Sequence, residues 1–144
     1  MSKAIDQAIK AFNNNEVPIG CVIVKDDEII SYGYNHKEKD NNSLNHAEII
    51  AIKKALKKLN SKYLDDCDLY VTIEPCMMCA GAIVNSRIKT VIYGASNIKG
   101  GCINSSINLL KVKGINHKPK IISDVLNEDC SLLIREYFKN KRNK

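Results

Sequence analysis

Ile5, Ala8, Ile9 and Phe12 recur at i, i+3, i+4 and i+7 near the start of the chain, the period of a helix with one apolar face. The pattern predicts a helix over Ser2–Asn13, closed by Asn13, Asn14 and Asn15. Two β-rich runs follow at 19–24 and 29–34, and the polar Lys25-Asp26-Asp27-Glu28 between them reads as a tight hairpin connection. Residues 35–45 are polar and unpatterned. Ile49, Ile52, Leu56 and Leu59 then mark one face of a helix whose other face, Lys53, Lys54, Lys57 and Lys58, is expected in solvent. A strand at 69–73 stops at Glu74-Pro75, and proline suits the first turn of the helix predicted at 76–85. A strand at 89–93, a glycine-containing loop, a short helix at 105–110 and a strand at 120–123 come next. The last helix, at about 127–142, has Cys130, Leu133, Ile134 and Tyr137 as its buried stripe. The order α-β-β-α-β-α-β-α-β-α predicts an α/β protein, a mixed five-stranded sheet with helices on both faces.

At 144 residues, with 44% hydrophobic and 26% charged positions, residues 1–144 are expected to form one domain with a core that needs no staples. No apolar run approaches the roughly 18 residues of a membrane helix, and the N-terminus lacks a basic-then-apolar order. These features point away from a membrane protein and toward the cytoplasm. Lys+Arg exceed Asp+Glu by 22 to 16, a net charge of +6, which favours an anionic partner. Lys, Asn and Ile are abundant and Arg scarce, so AT-rich coding accounts for part of the excess.

The chemistry concentrates in two short motifs. His46-Ala47-Glu48 opens the second helix and Pro75-Cys76-Met77-Met78-Cys79 the third. Cysteines three apart in a helical turn present both sulfurs to one side, and a helix N-terminus favours thiolates. With His46 as a third ligand they can hold a tetrahedral Zn²⁺ that keeps one position open for water, the pattern of a catalytic site. Glu48 lies about 200° around the helix from His46, so a carboxylate shuttling the proton of that water suits it better than metal ligation. Two other readings compete. A thioredoxin-like Cys-x-x-Cys leaves the His-x-Glu unexplained. A structural zinc closed by Cys21, Cys67, Cys102, Cys130, His36 or His117 lacks a second tight pair. The four remaining cysteines read as small buried hydrophobes.

His-x-Glu followed some thirty residues later by Pro-Cys-x-x-Cys is the zinc deaminase signature. The match extends to Glu16-Val17-Pro18-Ile19-Gly20, Gly33-Tyr34-Asn35, Glu74-Pro75, Ala80-Gly81-Ala82, Ser86-Arg87-Ile88, Tyr93-Gly94-Ala95 and the closing Tyr137-Phe138-Lys139-Asn140-Lys141-Arg142. Over its whole length the chain resembles the bacterial tRNA-specific adenosine deaminases (TadA type) of the zinc-dependent cytidine/deoxycytidylate deaminase superfamily. The resemblance implies a three-layer α/β/α cytidine deaminase-like fold in a homodimer. It implies hydrolytic deamination of adenosine to inosine at the wobble position in the tRNA anticodon stem-loop. His46, Cys76 and Cys79 then hold one zinc and Glu48 shuttles the proton. Asn35 contacts the base, with a turn-forming residue after a strand as its plain alternative, and Ile19, Ala47 and Pro75 line the pocket. Arg87, Asn97, Lys99, Phe138, Lys139, Lys141 and Arg142, with Lys144, are the candidates for holding RNA against the surface; a solvated C-terminus is the plain alternative for the tail. A free nucleobase or nucleoside deaminase, and a zinc-stabilised RNA-binding module without catalysis, are the competing functions.

The chain departs from the family pattern in two places. Ser43-Leu44-Asn45 stands where Pro-Thr-Ala is usual, and Asn97 where an aspartate precedes Pro and Lys, with Ile98 in place of the proline and Asn104 of a later glycine. These departures are expected to reshape the entry to the ligand helix and to relax how the ribose is read.

Overall fold

The computed structural model describes residues 1–143. The elements are α1 (Ser2–Asn13), β1 (Gly20–Lys25), β2 (Glu28–Tyr34), α2 (Ala47–Lys58), β3 (Asp68–Ile73), α3 (Met77–Asn85), β4 (Thr90–Ala95), β5 (Lys120–Ile122) and α4 (Asn127–Arg142), with a 3₁₀ turn at Leu109–Lys111. The five strands form one sheet in the order β2-β1-β3-β4-β5. β1 runs antiparallel to both β2 and β3, while β3, β4 and β5 run parallel. The mixed α/β architecture expected from the pattern is the one observed. The hairpin closes through Asp26 and Asp27 with φ of 51° and 61°, the left-handed pair whose twist suits a two-residue turn.

Glycines at two strand ends decide how closely the helices approach. A Cβ on Gly20 would lie 2.0 Å from the Ala4 carbonyl oxygen of α1, and one on Gly33 only 2.3 Å from that of Ala47 in α2. Gly33 pairs with Cys21, the neighbour of Gly20, and successive strand residues face opposite ways. α1 and α2 therefore cover opposite faces of the sheet. α4 packs beside α1, and α3 beside α2. Ala47, Ala51 and Ala55, fully buried on α2, let it settle onto the sheet over Cys21, Ile23, Leu69 and Val71.

One predicted element differs. Residues 105–110 do not form a helix, and only Leu109–Lys111 makes a 3₁₀ turn, capped by the Asn108 side chain on the Leu110 N–H. The N–H groups of Ser106 and Ile107 donate to the Gly101 carbonyl, that of Leu109 to the Cys102 carbonyl and that of Leu110 to the Asn108 side chain, so no i→i−4 ladder forms there. Lys53, Lys54, Lys57 and Lys58 lie on the outer face of α2, as expected. No helix among the described residues is long and apolar enough to cross a membrane.

Candidate active site

Both candidate metal-ligand motifs sit at helix starts. His46 is the N-cap of α2 and Cys76 that of α3, which begins just past the carboxyl end of β3. Cys79 lies in the first turn of α3, where unpaired N–H groups and the helix dipole favour a thiolate. His46 Nδ1 stands 3.6 Å from the Sγ of Cys76 and 3.6 Å from that of Cys79. The three ligand atoms all lie within 4.8 Å of one another. Ligands of a tetrahedral zinc, with Zn–S about 2.3 Å and Zn–N about 2.0 Å, stand roughly 3.5 Å apart, so this donor set fits such an ion. Among the described residues the group has three members and no fourth, which leaves room for a further ligand.

The electrostatics follow from crowding these groups together. The Cys79 thiol and the His46 ring draw Cys76 down to about 4 despite its burial, while facing Cys76, together with burial, pushes Cys79 far up. The hydrogen bond to Cys76 raises His46. Glu48, 4% exposed, is pushed up to about 7, chiefly by burial and then by the nearby Cys76. A divalent cation among these groups would favour the thiolate form of both cysteines.

Asn35 ties the site to the sheet. It follows β2, is 4% exposed, and its Oδ1 accepts the Ala47 N–H at 2.9 Å, so it caps α2 where His46 supplies no side-chain cap. Its own N–H donates to the Ile19 carbonyl at 3.3 Å. Ile19, Asn35 and Ala47 thus form one connected row beside Glu48. The segment entering α2 is held by Glu16, which accepts the N–H groups of Glu38 and Lys39 at 2.7 and 2.8 Å. Within that segment, Asn42 bonds the Leu44 N–H and Asn45 reaches Asp40; Ser43-Leu44-Asn45 is a side-chain-bonded turn.

A groove of about 690 Å³ opens beside this row, lined by Ile19, Ile73, Asn97, Ile98 and Lys99 on one side and Ser131, Ile134, Arg135 and Phe138 of α4 on the other. The structure thus brings together Ile19, Asn97, Lys99 and Phe138. Lys139 and Arg142 border an adjoining depression along α4. Lys141 turns away over the Tyr137 ring at 5.6 Å, and Arg87 stacks on Tyr63 at 4.2 Å without lining the groove. Lys144 lies outside the described residues. Ser131 and Arg135 belong to no motif and are found only through the fold, although 131, 135, 138 and 142 share one face of a helix. Asn97 spends its Oδ1 on the Gly100 N–H. Cys21, Cys67, Cys102 and Cys130 are free and buried, and His117 bonds the Ile88 carbonyl.

Comparison with known proteins agrees with this geometry. The MafB19-like deaminase family matches residues 1–131. A tRNA-specific adenosine deaminase of Rickettsia bellii is 48% identical over 144 residues, covering 99% of both chains. The chain belongs to the MafB19-like deaminase family, among the tRNA-specific adenosine deaminases. The enzyme of that name from Bacillus subtilis is 43% identical to this deaminase over all of its chain and 89% of the relative. A solved structure from work on A-to-I editing by tRNA:A34 deaminases superposes on the deaminase with a TM-score of 0.90 at 36% identity, over 92% of this chain and 96% of that one. A guanine deaminase from Bacillus subtilis matches with a TM-score of 0.63 at 32% identity, over 99% of this chain and 91% of that one.

Proposed function

We propose that this deaminase converts adenosine to inosine by hydrolysis at the wobble position of tRNA. The observation that carries this reading is the convergence of His46, Cys76 and Cys79 within 4.8 Å, with buried Glu48 against them and a cationic groove alongside. The tRNA-specific names of its relatives support the substrate. A zinc ion held by His46, Cys76 and Cys79 would lower the pKa of a water toward neutrality. Glu48 is placed to take a proton of the attacking water and pass it to N1 of the purine, then to carry the hydroxyl proton of the C6 adduct to the amino group, which leaves as ammonia. Asn35, fixed through its Oδ1, keeps its Nδ2 for an acceptor on the base edge. Ile19, Ala47 and Pro75 supply apolar walls to a base taken out of its stack.

Lys99, Arg135, Lys139 and Arg142 meet phosphates, and Phe138, 45% exposed, offers a stacking face. The exposed apolar side chains of Leu44 and Met77, beside His46 and Cys76, suit burial against a second copy in a homodimer. The absence of a membrane-crossing helix among the described residues is compatible with the cytoplasm, where tRNA is modified.

The test incubates zinc-loaded protein with tRNA bearing adenosine at the wobble position and, separately, with free adenosine, cytidine, adenine and guanine. Ammonia released with tRNA alone is the expected outcome. Release only from a free compound would assign a free-base or nucleoside deaminase, and none from any substrate a binding module.

A further inference from the structure

The segment Glu74-Pro75 links β3 to α3 and hence to the ligand Cys76. Glu74 is 2% exposed, yet it touches neither the metal-ligand group nor the groove. Its carboxylate is instead wrapped by the loop after β4. Oε1 accepts the Asn97 N–H at 3.2 Å and the Ser105 hydroxyl. Oε2 accepts the N–H groups of Ile103, Asn104 and Ser105 at 3.1, 2.8 and 3.0 Å. The main chain closes the same contact, with the Glu74 N–H on the Ala95 carbonyl and the Cys102 N–H on that of Pro75, both at 2.9 Å. Gly101 must be glycine for this fit, since a Cβ there would lie 2.4 Å from the Glu74 Cδ.

The wrapped loop contains no α-helix or strand, and its other side, Asn97 to Lys99, is one wall of the groove. Ile98 is 77% exposed, so little packing from outside holds that wall in place. An ionised carboxylate carries only acceptors, about four lone-pair sites, and so can satisfy several N–H donors at once. An amide of the same shape would turn an NH₂ toward them and leave at least one buried N–H unpaired.

We propose that Glu74 is a positioning residue for polynucleotide binding: its carboxylate holds the 97–105 loop so that Asn97, Ile98 and Lys99 stand as the fixed wall facing Phe138. The inference rests on the reading of the groove as the RNA-holding surface. Pro75 and Cys76 follow Glu74 directly in the chain, so one residue sets the spacing between groove wall and reacting centre.

The test compares Glu74→Gln and the milder Ser105→Ala with the unaltered protein. The first readout is the split between KM for tRNA and kcat. The second is tryptic cleavage after Lys99, mapped by mass spectrometry, alongside zinc content. Glu74→Gln is expected to raise KM about tenfold, the effect of one lost charge-assisted hydrogen bond. In that variant kcat stays within about twofold, zinc content is unchanged and Lys99 is cut faster. Ser105→Ala shifts KM and cleavage the same way by less, and decides the matter if the glutamine variant is insoluble. Loss of zinc or of kcat with KM unchanged would place Glu74 in the service of the ligand cysteines and overturn the proposal. So would cleavage at Lys99 that neither variant alters. Should the unaltered protein make no inosine, the functional reading fails, while the Lys99 cleavage still tests the clamp.

Discussion

The floor of the site and the groove beside it are built on opposite principles. On the floor, His46, Glu48, Cys76 and Cys79 sit at the starts of two helices packed side by side, of which α2 presses on the sheet through Gly33 and its own alanines. His46 stands 3.6 Å from both cysteine sulfurs, and Glu48 is 4% exposed. The groove is made from one face of the last helix and a loop held mainly by Glu74, with Phe138 and Ile98 facing solvent. Chemistry needs side chains held to within a fraction of an ångström, which close packing provides. A long, irregular substrate tolerates a softer wall provided charge and aromatic surface are spread along it.

That contrast can be broken at several points. The largest effect is expected on the floor: Cys79→Ala leaves two donors and should reduce bound zinc to a small fraction of one per chain, with activity falling in proportion, as metal analysis would show. Gly33→Ala forces a Cβ against the Ala47 carbonyl. It should cost about 1–3 kcal/mol of stability in denaturant titration and lower kcat as the start of α2 shifts. In the groove, Phe138→Ala and Lys99→Ala should raise KM for tRNA by about three- to tenfold with kcat unchanged. Only Lys99→Ala should also flatten the salt dependence, by roughly one phosphate's worth of slope. If a groove substitution lowers kcat as strongly as Cys79→Ala, the division between the two regions fails.

The smallest effect lies away from both. Lys25 pairs with Asp66 at 3.1 Å on the surface, and that hydrogen bond holds the Asp66 carboxyl below its usual range. A carboxyl with a depressed folded-state pKa stabilises above its unfolded value, about 3.9, and that stability is lost as pH falls through the folded value. Asp66→Asn should lower the Tm slightly at pH 7 and leave it unchanged near pH 2, by calorimetry at the two pH values.

Legibility in the sequence follows the same division. His-x-Glu and Cys-x-x-Cys are local patterns whose spacing sets which side chains share one helix start, while the meeting of the two motifs across some thirty residues is legible through the family resemblance. The strands and the amphipathic helices are legible for the same reason, their periods being local. Contacts between distant segments are not. Nothing in the spacing of Asn35 and Ala47 announces that one caps the other's helix. The short helix expected at 105–110 is absent because the loop wraps the Glu74 carboxylate of a distant segment and the N–H groups of Ser106, Ile107 and Leu109 turn to the Gly101 and Cys102 carbonyls. The cationic tail is visible as a composition, but which cations share a face with Lys99 depends on how α4 seats on the sheet: Arg135 joins the groove, while Lys141 turns to Tyr137 and Arg87 to Tyr63.

The central claim, that a metal-binding floor with Glu48 as its proton carrier acts on the wobble adenosine, is tested most directly by one measurement. Inosine is quantified at the wobble position of a single tRNA after incubation with unaltered protein and with Glu48→Ala, zinc content being determined for both. The expected result is inosine at that position with the unaltered protein, and a variant that keeps its zinc but turns over at least about a hundredfold more slowly. A zinc-loaded Glu48→Ala protein as active as its parent would contradict the account.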